Sequence, residues 1–187
     1  EDQGYLCAYC MRRIYDESSV DGGVPPMKIE HWFPESQCSE FQKLDFRNML
    51  GVCMGNAGQP YSCTTCDSHR KDKMLTINPL DKNLVQQIKY EGHTGKIYSE
   101  NEQINEDLND TLNLNYEGSD FSLCRNRYYA LEACKDKLNA MRRNKPGDWP
   151  KSSLEKLLNI YENKDKEGKY KEYSGIVIWY LKKKLKR

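Results

Sequence analysis

The chain has almost no net charge: 29 Lys and Arg against 28 Asp and Glu leave +1. A protein that held nucleic acid through overall charge alone would carry a clear basic excess, so any phosphate-binding surface has to be local. Long hydrophobic runs are missing as well. The longest apolar stretch, Gly175 to Leu181, falls far short of the roughly 18 residues of a membrane-spanning helix, and no charged-then-apolar leader opens the sequence. These absences predict a cytoplasmic protein with no membrane association. Internal repeats and low-complexity linkers are absent too, which leaves 187 residues to form one domain, or a small domain with another appended. The opening Glu1-Asp2-Gln3 is unlike a native start, and residues are expected upstream of it.

Cysteine, by contrast, is plentiful, with eight residues. The pair Cys7-Ala8-Tyr9-Cys10 is too close to close the long loops that make disulfides stabilising, so its spacing favours metal. A CxxC turn sets two thiolates about one coordination sphere apart, and tetrahedral zinc needs two more. Cys63-Thr64-Thr65-Cys66 is a second CxxC, while Cys53 stands alone. The second pair is therefore either Cys63 with Cys66, or Cys53 with Cys66 and residues 54–65 looped out between them. Cys38 has no partner by spacing. Cys124 and Cys134 lie on an apolar helix stripe and read as core.

The first eighty residues are rich in Cys, Gly and Pro and poor in long periodic segments, as in a small domain where metal replaces part of the core. A turn at Asp21-Gly22-Gly23 and Pro25-Pro26 leads to a short strand, Met27-Lys28-Ile29-Glu30. A helical turn is predicted from Phe41 to Phe46, an extended segment from Asn48 to Cys53, and a short helix from Asp67 to Met74 with Asp67 at or near its N-cap. Beyond a boundary near Pro79-Leu80 the pattern changes. Residues 87–98 alternate around a glycine-bearing turn and predict a hairpin. Phe121, Cys124, Tyr128, Leu131, Cys134, Leu138 and Met141 recur at helical spacing, with Pro146-Gly147 as the stop. Ser152 with Glu155 forms a capping-box pattern before Leu154, Leu157, Leu158 and Tyr161. Tyr173 to Leu185 closes the chain as a helix, with Ile176-Val177-Ile178 leaving a strand as the alternative. The fold class is α+β: residues 1–80 a zinc-stapled unit, residues 81–187 a hairpin and a mainly helical region.

Between the cysteine clusters lies Ile29-Glu30-His31, a carboxylate beside an imidazole. The ensemble Cys7-x-x-Cys10, Glu30-His31, Asn48-Met49-Leu50-Gly51-Val52-Cys53 and Cys66-Asp67-Ser68-His69-Arg70-Lys71 resembles HNH endonucleases of the ββα-metal type. Within them it is most similar to the PtuB group, the HNH components of Septu anti-phage systems and of some retrons. That closer likeness rests on Leu50-Gly51-Val52-Cys53-x-Gly55-Asn56-x-Gly58-Gln59-Pro60, Thr76-Ile77-Asn78-Pro79 and Thr111-Leu112-Asn113-Leu114-Asn115. The resemblance implies a ββα-metal fold and selects Cys7, Cys10, Cys53 and Cys66 as the structural zinc ligands, leaving Cys63 spare. It implies a partner ATPase of the PtuA kind and, in a retron setting, an assembly with reverse transcriptase and noncoding RNA. The helical half then reads as support and partner-docking surface. Glu30 stands where Asp is more usual, and Asp67 where Asn or His is. Both substitutions keep an oxygen ligand for a hard cation.

Phosphodiester hydrolysis needs an activated water, a cation at the phosphate and help for the leaving oxygen. His31 is the expected general base. Glu30 and Asp67 are the expected ligands of one Mg²⁺ or Mn²⁺, with His69 as an alternative third-motif ligand. On a regular strand Glu30 and His31 face opposite ways, and a kink would let both reach the site. Asn48 is expected to orient His31 or brace the loop. Basic clusters at 70–73, 142–145 and 182–187 usually mark solvated helix faces, and only the first adjoins the site, where Arg70, Lys71 and Lys73 are expected to bind flanking phosphates. Trp32 and Phe33 read as packing residues and His93 as a hairpin-turn residue. The expected activity is metal-dependent cleavage of nucleic acid, DNA or RNA, as the effector of a bacterial anti-phage complex. The alternatives are an RNase, transfer RNA included, and a zinc-stabilised module that binds nucleic acid or the partner without cutting.

Overall fold

The structure is a computed structural model that describes residues 1–14, 27–142 and 148–186. The turn at Asp21–Gly23 and Pro25–Pro26, the stop at Pro146–Gly147 and most of the 142–145 basic cluster lie outside the described residues. The chain is mixed α and β, with two small antiparallel sheets. Strand β1 (Met27–His31) pairs with β2 (Met49–Cys53) in the register Met27–Cys53 to His31–Met49. Between them lie a four-residue helix α1 (Glu40–Lys43) and a 3₁₀ turn at Phe46–Asn48. The Ser39 hydroxyl and the Gln42 side chain cap α1 reciprocally, a local pairing that lets so short a helix form.

Helix α2 (Cys66–Arg70) follows β2. Its N-cap is Thr65, not Asp67, and it ends at Arg70 instead of Met74 because Lys71 takes a positive φ of 59°. Asp67 therefore sits inside the first turn, where its carboxylate bonds Lys28 and not the helix amides. Helix α3 (Lys82–Val85) precedes the hairpin of β3 (Ile88–Tyr90) and β4 (Ile97–Ser99), at the expected position with His93 exposed in its turn. Helix α4 (Glu102–Glu106) runs into a π-helical turn, Asp107–Thr111.

The predicted stripe forms α5 (Leu123–Met141), which buries Leu131, Cys134 and Leu138 but starts after Phe121, behind a Ser122 cap. Arg127 is also buried on it, donating to the Gly95 and Leu114 carbonyls at 2.6 and 2.7 Å. In α6 (Lys151–Glu162) the expected capping box is absent. Pro150 precedes the first turn and its carbonyl takes the Ser153 and Leu154 amides, so Ser152 and Glu155 are both interior. Helix α7 (Ser174–Leu185) packs against α5 and α6, and the strand alternative there is overturned. Its Lys182 pairs with Glu162 at 2.6 Å, and Lys183 lies over the Trp179 ring, as on a solvated face. No helix among the described residues is long and apolar enough to cross a membrane.

One apolar core runs from Cys7, Cys10, Leu50, Val52, Cys53 and Cys66 through Ile104 and Leu108 to Leu131, Ile176 and Leu181. Polar ties bridge the two halves: the buried Asp107 carboxylate accepts the Thr76 and Ile77 amides at 2.6 and 2.8 Å, and the Leu112 carbonyl accepts the Cys66 amide at 2.8 Å.

Candidate active site and metal centre

The Cys7, Cys10, Cys53 and Cys66 sulfurs are all buried and lie within 4.8 Å of one another. Contacts of 3.7 Å for Cys10–Cys53 and Cys53–Cys66, and 4.0 Å for Cys7–Cys66, bracket the edge of about 3.8 Å of a tetrahedron with zinc–sulfur bonds of about 2.3 Å. These four can hold a zinc ion, and Cys63, half-buried beside Ser62, is left out. Four clustered thiols cannot all ionise unaided. Contacts with the Cys10, Cys66 and Cys7 thiols and with the Gly55 amide pull the Cys53 thiol down, while the contact with Cys53 pushes Cys10 well up and contacts with Cys10 and Cys53 push Cys66 well up. A bound cation reverses that preference for the whole set. Positive φ at Met11 (61°), Gly55 (55°) and Cys66 (55°) turns the backbone around the sulfurs. At Gly55 a Cβ would overlap the Thr65 carbonyl oxygen.

Beside this cluster the β1–β2 pair and α2 enclose an open cleft of about 630 Å³, lined by Lys28, Glu30, His31, Asp67, Ser68, Lys71 and the Ala57–Gln59 loop, among others. Strand β1 stays regular through His31, so Lys28 and Glu30 share the face toward α2 and His31 takes the other. Glu30 and His31 nevertheless both belong to the lining of the cleft, with His31 at the end of the strand. The His31 Nε2 lies 2.9 Å from the Lys43 carbonyl oxygen. A carbonyl only accepts, so Nε2 carries the proton and Nδ1 keeps its lone pair in the neutral ring. Asn48 braces the turn after β1: Oδ1 accepts the Phe33 amide at 2.7 Å and Nδ2 donates to the Phe33 carbonyl at 3.2 Å and toward Cys38 Sγ at 3.4 Å. Its backbone carbonyl takes the Trp32 amide. Trp32 is half-buried and donates through its indole to Ile77, the packing role expected of it.

Glu30 is buried. Its Oε1 accepts from the Tyr9 hydroxyl at 3.2 Å and from Arg70 Nη1. Burial, then the nearby Asp67 carboxylate, pushes its pKa up to about 7, against the pull of Arg70. Burial likewise raises the Tyr9 hydroxyl, which stays protonated and serves as donor. Two neighbouring carboxylates on one open cleft suit a hard divalent cation, which is often held by one or two carboxylates, with water and phosphate completing its shell. His69 does not join them. It is buried, stacked on Tyr61 at 4.1 Å, with Nδ1 3.1 Å from the Tyr61 carbonyl and 3.2 Å from Thr64 Oγ1. Among the described residues the four cysteines are the only metal-type group of three or more.

Arg70 also departs from expectation. It is 1% exposed, with its guanidinium turned to partners within the protein instead of to the surface. Its guanidinium donates to Glu30, the Tyr9 hydroxyl, and the carbonyls of His31 (3.0 Å), Trp32 (2.6 Å) and Lys73 (2.8 Å). It thereby ties the end of β1 to α2. Lys71 is exposed on the cleft, and Lys73 is exposed without lining it.

The sequence reading missed Lys28, whose Nζ lies 3.1 Å from Asp67 Oδ2 and 2.9 Å from Ser68 Oγ. Its position two residues before Glu30 on a strand was the available signal. It also missed Gln3, which brackets Gly51 by accepting its amide at 2.7 Å and donating to its carbonyl at 2.9 Å. Compared with protein-family models, with curated proteins and with solved structures, the chain matches none of them.

Proposed function

We propose that this chain is a metal-dependent endonuclease of the HNH ββα-metal type, with zinc on Cys7, Cys10, Cys53 and Cys66 as its structural staple. The observation that carries the reading is the cleft whose lining brings His31, its Nε2 committed to the Lys43 carbonyl, together with Glu30 and Asp67. His31 Nδ1 takes the proton from a water whose oxygen forms the new bond to phosphorus as the P–O bond to the leaving sugar breaks. The leaving oxygen recovers a proton from solvent. Glu30 and Asp67 would hold Mg²⁺ or Mn²⁺, which supplies charge stabilisation at the phosphate. Asn48 fixes the turn that follows the base, Arg70 positions Glu30, and Lys71 reaches flanking phosphates. The similarity to the PtuB group supports a cytoplasmic setting in anti-phage defence, beside a PtuA-like ATPase or in a retron assembly, with the helical half as docking surface.

The test is cleavage by the purified chain, with and without that ATPase, offered plasmid DNA and total RNA in Mg²⁺, Mn²⁺ or EDTA. Metal-dependent cutting that His31→Ala abolishes, with nucleic-acid binding retained, is expected, and the polymer cut names the substrate. Cutting by His31→Ala at the wild-type rate overturns the assignment. Binding without cutting under every condition favours the zinc-stabilised adaptor.

A further inference from the structure

The cleft carries its own counter-charges. The two carboxylates that would hold the cation are each paired already, Glu30 with Arg70 and Asp67 with Lys28. A divalent cation bound by both would meet these two paired cations, and one of them has to yield. Arg70 cannot: it is buried and three backbone carbonyls hold it. Lys28 can. Its side chain is 31% exposed, on a flexible stem, and its two partners are single contacts from α2. When it leaves, Ser68 Oγ keeps its bond to the Met54 carbonyl at 2.7 Å, so no buried group is orphaned on that side. Strand periodicity keeps Lys28 on the Glu30 face of the cleft, where an incoming phosphate offers the displaced ammonium a new partner.

We propose that Lys28 is a displaceable counter-ion, holding Asp67 until a divalent cation is bound and then turning to the phosphodiester. The proposal rests on the nuclease reading of this cleft. Its signature is two-sided: loss of the lysine strengthens cation binding and weakens nucleic-acid binding, a combination that a merely structural role does not produce.

Mn²⁺ binding by the zinc-loaded full chain, followed by the electron paramagnetic resonance of free Mn²⁺ without nucleic acid, tests the first half. Lys28→Gln is expected to bind about fivefold more tightly than wild type, the upper range for releasing a partly exposed ion pair. Lys28→Arg should match wild type and Asp67→Asn should lose binding. In a His31→Ala background with Mn²⁺, fluorescence anisotropy of labelled DNA and RNA oligonucleotides should then show weaker binding when Lys28→Gln is added. Mn²⁺ affinity of Lys28→Gln equal to or below wild type overturns the proposal and leaves the nuclease reading standing. Tighter Mn²⁺ with unchanged oligonucleotide affinity overturns the phosphate role. If neither chain binds Mn²⁺ while zinc content and circular dichroism are native, the divalent-cation part of the nuclease reading falls and takes the proposal with it.

Discussion

Arg70 shows how one side chain serves both stability and the site. Its donors are spent on Glu30, Tyr9 and three carbonyls, so truncation leaves a buried carboxylate and several orphaned acceptors at once. Breaking such a pair from one side typically costs about 3 kcal/mol or more, and Arg70→Ala is expected to lose that much in urea unfolding. Arg70→Lys keeps the charge but not the planar fork. It should remain folded with a lower melting temperature and reduced cleavage, and cleavage at the wild-type rate would refute the positioning role. Asn48→Ala removes the brace after β1 without touching His31 itself. It should lower the cleavage rate by about tenfold or more, the scale of a misplaced catalytic group, while leaving zinc content unchanged.

At the scale of elements, backbone geometry shapes the turns that carry the cysteines. Gly55 has a φ of 55° and abuts the Thr65 carbonyl. Gly55→Ala should therefore destabilise the chain by about 2 kcal/mol, within the range for a strained left-handed position, measurable by chemical denaturation. Cys63→Ser should leave zinc stoichiometry intact and Cys53→Ser should lower it, as read by metal analysis of the purified variants.

These elements also show what the sequence made legible. The Cys7–Cys10 turn, both strands, the hairpin and the α5 stripe could be read because each is a local pattern with its own period or spacing. The choice between Cys53 and Cys63 could not be made from CxxC spacing alone, since both fit; the resemblance selected Cys53, and the path of residues 54–65 puts it among the four clustered sulfurs. Arg70 was misread for the same reason: its burial depends on Tyr9 and residues 30–32, distant in sequence. His69 is the opposite case. Successive helix residues are about 100° apart, so Asp67 and His69 lie on nearly opposite sides of α2 while Asp67 and Arg70 share one. That argument needed only the helix, and it excludes His69 from the cleft.

For the whole molecule, the continuous core ties the four-cysteine site to the stability of every element. The buried cysteines pack in the same cluster as Leu131 and Ile176, so stripping zinc with a strong chelator should lower the single calorimetric transition of the entire chain. Two separated transitions, with only one sensitive to chelator, would instead divide it into independent units. Zinc thiolates compete with protons, so stability contributed by zinc on these four cysteines would be present at neutral pH and lost as pH falls. Acid titration should release zinc and unfold the chain together.

The ends of the described chain meet. The Tyr170 amide bonds the Gly4 carbonyl, Glu172 accepts the Arg13 amide at 2.8 Å, and the Tyr173 amide reaches the Met11 carbonyl beside Cys10. During synthesis the first thiol pair thus emerges well over a hundred residues before the segment that clasps it. Loops of that span close late. A nascent fragment ending before Tyr170 would hold the acids, the imidazole and all four thiols without the segment that clasps the first pair.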